Sequence, residues 1–79
     1  MVKKIDKFLE FYNAKTPNEL YHTEIRIVDV DYDVELNGVL INHVSKGNGD
    51  YLICNMMNNR RIRLHISEDT QFLINGEEL

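Results

Sequence analysis

The chain reads as an α+β domain that is mainly β: an N-terminal helix followed by a five-stranded, strongly bent antiparallel sheet or small barrel. Three observations carry this reading. Ile5, Phe8, Leu9 and Tyr12 fall at i, i+3, i+4 and i+7, which is one apolar stripe on a helix. From His22 onward, apolar residues recur at the period of a strand, interrupted by short runs of turn-forming residues. Within the first of these stretches the apolar parity changes, from Tyr21, Thr23, Ile25 and Ile27 on odd positions to Val28, Val30, Tyr32, Val34 and Leu36 on even ones. A β-bulge between Ile27 and Val28 would keep one apolar side facing inward while bending the strand, and a bent strand lets a short sheet curl around a small core.

The helix is expected over roughly residues 2–14, with Phe11 widening the stripe and Lys3, Lys4, Lys7 and Glu10 on the other side. The lysines oppose the helix dipole, so the start needs packing to hold it. Pro17 excludes Thr16 from helical geometry and ends the element. Thr16-Pro17-Asn18-Glu19 then spells an N-cap, a proline at the first helical position and a capping-box acid, which predicts one further turn through Leu20. The first strand runs from His22 to Leu36, where Asn37-Gly38 predicts a tight hairpin into a second strand over Val39 to Val44. After Lys46-Gly47-Asn48-Gly49, Tyr51 to Met57 form a third strand, apolar on both faces and therefore central. Asn58-Asn59 lead to a fourth, with Ile62, Leu64 and Ile66 on one face and Arg61, Arg63 and His65 on the other. Ser67 to Thr70 turn the chain, and Phe72 and Ile74 anchor a short last strand before Asn75-Gly76 and an acidic tail.

Seventy-nine residues form a single domain, 1–79, and a chain of this size buries only about 60–65 % of its unfolded surface, so an oligomer or a partner would add stability. The composition, 43 % hydrophobic and 28 % charged, is that of an ordinary globular domain. Neither an apolar run of membrane-spanning length nor a secretion-signal pattern is present, and the lone Cys54 has no partner for an internal disulfide; a cytoplasmic location is the expectation. Net charge −4 argues against general nucleic-acid affinity, so any such binding would be local. Nine Asn and eight Ile against a single Ala hint at an AT-rich coding genome, as in low-GC bacteria and their phages.

The leading helix, the long bent first strand, the Leu36-Asn37-Gly38 turn, the Ser67 to Thr70 loop and the brief fifth strand together resemble the Sm-like and SH3-like small barrels. The resemblance implies a barrel fold and, in the Sm-like branch, RNA binding and ring assembly. The RNA-reading motif is not matched, because Asp50 is followed by Tyr51 and Leu52 and no second glycine interrupts the second strand.

Two charged rows are the candidate sites. Asp29, Asp31, Asp33 and Glu35 take four successive outward positions, about 6.7 Å apart along a strand. Such an acidic row can imitate nucleic-acid phosphates and occupy the basic groove of a protein; the plainer alternative is a solvated strand face paired with arginines. Asp-x-Asp-x-Asp is not a calcium loop here, since Val34 and Leu40 stand where glycine and glutamate are required. Arg61, Arg63 and His65, with Arg60 just before, form a basic row suited to phosphate or carboxylate. Its plainer alternatives are pairing with the acidic row or keeping an edge strand soluble. His22, His43, His65 and Cys54 lie on different elements without zinc-type spacing, so neither a metal nor another cofactor is expected. Cys54 reads as a core hydrophobe, and Met56-Met57 as core filling or a pliable contact patch. No nucleophile, histidine and acid fall in a catalytic arrangement, and no phosphate-binding glycine loop is present.

The reading favoured on these grounds is a non-enzymatic interaction protein with a protein partner, such as a phage or mobile-element inhibitor of a host defence or nucleic-acid-processing complex, acting through the acidic row. The competing reading is a small barrel, oligomeric in the manner of a ring, that binds RNA, single-stranded DNA or a signalling nucleotide through Arg61, Arg63 and His65. A third is an assembly subunit that adds an edge strand to its neighbour.

Overall fold

The structure, a computed structural model, describes residues 3–36, 40–56 and 59–79. The chain order is α1 (Lys4–Asn13), α2 (Pro17–Tyr21), β1 (Ile25–Val28), β2 (Asp33–Glu35), β3 (Leu40–Lys46), β4 (Gly49–Asn55), β5 (Arg61–Ile66), β6 (Gln71–Ile74) and β7 (Glu77–Glu78). α1 buries Ile5 and Phe8 and half-buries Leu9, Phe11 and Tyr12, the stripe its spacing predicts. Its N-terminus has no side-chain cap. Packing holds it instead, with the Phe8 ring stacked on Phe72 at 4.6 Å. α2 starts on the predicted capping box: Thr16 Oγ1 accepts the Glu19 amide at 3.2 Å, and Glu19 Oε1 accepts the Thr16 amide at 3.1 Å.

In place of one five-stranded sheet there are two antiparallel sheets, ordered β2-β1-β6-β7 and β3-β4-β5, and the described residues close no barrel. The parity change is not a bulge in one long strand. β1 and β2 are two arms of a hairpin, with Ile27 opposite Val34 and Val28 opposite Asp33. That register sets odd positions against even ones, so odd-numbered Ile25 and Ile27 and even-numbered Val34 and Leu36 share the inward face without any inserted residue. Asp29 and Tyr32 exchange backbone hydrogen bonds at 2.8 and 3.4 Å, which places Val30 and Asp31 at the hairpin tip. Val30, expected inward, is 88 % exposed.

β2 pairs with β1 and not with β3, so the two strands flanking the predicted Asn37-Gly38 hairpin belong to different sheets. That turn itself lies outside the described residues, as do Met57 and Asn58. β3 and β4 are joined through Gly47 and Asn48, and β4 is central as its two apolar faces require. The acidic tail is not loose: Asn75 and Gly76, at φ 51° and 85°, make a two-residue turn that pairs β7 with β6. Inner faces of both sheets meet α1 in one core, built on Ile25, Ile27 and Phe72 from the first sheet and Leu52, Cys54, Leu64 and Ile66 from the second. The outer faces carry charged and polar side chains together with half-buried Val28 on the first sheet and Val44, Tyr51 and Ile53 on the second.

Candidate functional site

The acidic residues do not form one row. Asp29 lies at the base of the β1–β2 tip, where Oδ2 accepts from the buried Thr70 hydroxyl at 2.6 Å and from Ser67 Oγ at 3.2 Å, and Oδ1 accepts the Val30 amide at 2.6 Å. The hydrogen bond from Thr70, followed by those from the Val30 amide and Ser67, holds its carboxyl below the usual aspartate range against a smaller desolvation effect. Asp31 is exposed at the tip. Asp33 is gripped by the Arg26 fork at 2.7 and 2.8 Å, which lowers its pKa, and Glu35 lies opposite Arg26 in register. The four carboxylates thus divide among a structural clamp, a hairpin tip and an ion-paired strand. The even spacing read from the sequence does not survive the reversal of the chain.

The basic row, by contrast, is intact. β5 is an edge strand whose apolar residues face the core, so Arg61, Arg63 and His65 all stand on the outer face. Each is steadied by a β4 side chain, Arg61 and His65 by the residue opposite them and Arg63 by a diagonal neighbour. Arg61 Nε donates to Asn55 Oδ1 at 3.2 Å. The Arg63 guanidinium lies over the Tyr51 ring at 5.1 Å, and the His65 ring packs against the same tyrosine at 5.0 Å. Gly49 makes room for that imidazole, because a Cβ there would lie 2.9 Å from His65 Nε2. Arg60 is exposed just before the strand, and its carbonyl accepts the Met56 amide at 2.7 Å. Arg60 and Arg61 also line a polar depression with Asn55, Met56 and Asn59.

Among the described residues the ion pairs engage Lys3, Lys4, Arg26 and His43, and none reaches Arg61, Arg63 or His65. Of the acidic residues that could have neutralised them, Asp33 is taken by Arg26 and Asp29 by Thr70. The outer face of this sheet therefore combines three steadied basic side chains, the half-buried Tyr51 and Ile53, and Lys46 on β3, with no carboxylate from its strands. Tyr51 is the residue the sequence reading missed. In the sequence it reads as part of an apolar central strand, and its place beside His65 comes from the β4–β5 register.

Other clusters are self-satisfied. The open groove at the start of α1 is lined by Lys3, Lys4, Ile5, Asp50, Ile66, Ser67 and Glu68. Asp50 there accepts from His43 Nε2 at 3.0 Å and pairs with Lys3 at 3.9 Å, and Lys4 donates to the Glu68 carbonyl at 3.1 Å. Hydrogen bonding to His43 is the main cause of the lowered Asp50 pKa. Burial pushes the Cys54 thiol up to about 11. Among the described residues no three His, Cys, Asp or Glu side chains converge as metal ligands, and no helix is long and apolar enough to cross a membrane. Searches of protein-family models, of characterised proteins and of solved structures find nothing that matches this chain.

Proposed function

We propose that this chain is a non-enzymatic macromolecular interaction protein that holds an anionic partner on the outer face of the β3-β4-β5 sheet. The observation that supports it is the column of Arg61, Arg63 and His65, which no ion pair among the described residues engages and which Asn55 and Tyr51 fix against β4. Side chains already held in place lose less entropy on binding than free ones do. Arginine is also the residue best matched to carboxylate and phosphate. A buried, protonated Cys54 without a disulfide partner fits work in a reducing cytoplasm.

A second reading keeps the acidic side as the working one. Asp33 and Glu35 are exposed on β2, itself an edge strand, and could engage a basic groove as an inhibitor of phage or mobile-element origin would. Affinity capture from the source cells separates the two. If the basic face works, Arg61→Glu with Arg63→Glu abolishes capture of the partner and Glu35→Lys leaves it unchanged. The reverse pattern would transfer the function to the acidic strand.

A further inference from the structure

We infer that the open edge of β5 receives an extended acidic segment of a partner protein as an added strand. This deepens the proposal above and rests on Arg61 and Arg63 being the working side chains.

The argument comes from the phase of the hydrogen-bond ladder. In an antiparallel pair each residue aims its N–H and C=O at the same neighbour, and successive residues aim at opposite sides. The Ile41 amide is taken by the Tyr12 hydroxyl at 3.1 Å, so Ile41 points away from β4. Asn42, Val44 and Lys46 then bond to Ile53, Tyr51 and Gly49 opposite them. This leaves Asp50, Leu52 and Cys54 to bond to Ile66, Leu64 and Ile62 of β5. Arg61, Arg63 and His65 consequently turn their backbone groups to the open side. The Tyr32 hydroxyl donates to the His65 carbonyl at 2.8 Å, as this phase requires, and closes the rail at that end. Beyond that cap, no hydrogen bond among the described residues takes the N–H or C=O of Arg63 or Arg61, and no ion pair among the described residues engages the guanidiniums above them.

The same residues thus offer backbone pairing and charge. A strand laid along the rail sets its outward side chains about 5 Å from Arg61 and Arg63, where opposite charges stabilise and like charges oppose. Acidic residues at alternate positions fit. A second copy of β5 does not, because its arginines would face these arginines. A nucleic-acid strand could use the cationic face, but its sugar-phosphate backbone has no alternating N–H and C=O groups to match the rail.

The test uses the full chain and a labelled seven-residue peptide of alternating glutamate and threonine. Two versions carry N-methyl groups on one or the other alternate set of amides, and a twelve-nucleotide oligothymidylate serves as a second anion. The expected result is binding that Arg61→Gln with Arg63→Gln abolishes and that one methylated set weakens at least tenfold while the other does not. Exchange of the Arg63 amide should slow at least tenfold in the complex. Arginine-dependent binding that is indifferent to methylation, or arginine-dependent binding of the oligonucleotide alone, would overturn the added strand and leave the basic-face proposal standing. Failure to hold either anion at low salt would overturn both. Because the decisive change is made in the peptide, a folding defect in a variant cannot imitate it.

Discussion

Thr70 and Asp29, forty-one residues apart, are joined by a 2.6 Å hydrogen bond from a fully buried hydroxyl to a carboxylate. Thr70 Oγ1 also accepts the Ser67 amide at 2.9 Å, so one side chain ties the β1–β2 tip to the β5–β6 turn. Thr70→Val keeps the volume, removes the hydroxyl and leaves the Ser67 amide without its acceptor. A buried group stranded in this way costs about 1–3 kcal/mol. Urea unfolding should show that loss, with Thr70→Ser retaining most of the stability; equal stability of the valine variant would show the clamp to be idle.

The clamp gives stability a pH dependence of definite sign. Asp29, Asp33 and Asp50 have folded-state pKa values lowered chiefly by hydrogen bonds from Thr70, Arg26 and His43 respectively. A group depressed on folding adds stability that is complete above its unfolded value, about 3.9 for aspartate, and is lost as pH falls through the lower folded value. Thermal melting between pH 7 and pH 2 should therefore fall off on the acid side of about pH 4. Asp29→Asn, which has no carboxylate to protonate, should melt lower at neutral pH and show a shallower acid limb. An unchanged limb would remove Asp29 from the account.

The same clamp explains where the sequence was legible and where it was not. α1, the α2 capping box, the central place of β4 and the in-out alternation of β5 could all be read directly, because each rests on local spacing. The β1–β2 reversal could not. Its tip, Val30-Asp31, contains no Gly, Pro or Asn, and the surrounding Val and Asp alternation is what a continuous strand would show. The turn is held by Thr70 and Ser67 from the far end of the chain, a tertiary cause without a local signature. Once the reversal is missed, two hairpin arms look like one acidic row. The basic row was legible because β5 is continuous, whereas its tyrosine depended on a cross-strand register that a single strand's pattern does not contain.

Cys54 tests the core independently. It is fully buried on β4, and its thiol, pushed up to about 11, is protonated near neutral pH. The thiolate is the reactive form, so the folded chain should resist a disulfide reagent at pH 8 and react promptly in denaturant. Fast modification of the native chain would mean that β4 opens readily and that the sheet bearing the basic face is not a rigid platform.

Gly49 connects a backbone requirement to the basic column. Its φ of 131° lies where side chains are strained, and an added Cβ would meet His65 Nε2 at 2.9 Å. Gly49→Ala should therefore do two things at once: destabilise the hairpin by roughly 1–3 kcal/mol and lift the His65 imidazole off Tyr51. Gly47, two residues earlier in the same turn, has an ordinary φ, and a Cβ there would meet nothing within 4 Å. Gly47→Ala serves as the matched control and should melt like the parent. Chemical shifts of the His65 ring protons, which the tyrosine ring current moves, would report the displacement separately from stability. If Gly49→Ala lowers the melting temperature while those shifts stay in place, the glycine is needed for the turn alone, and the ordering of His65 must come from Tyr51.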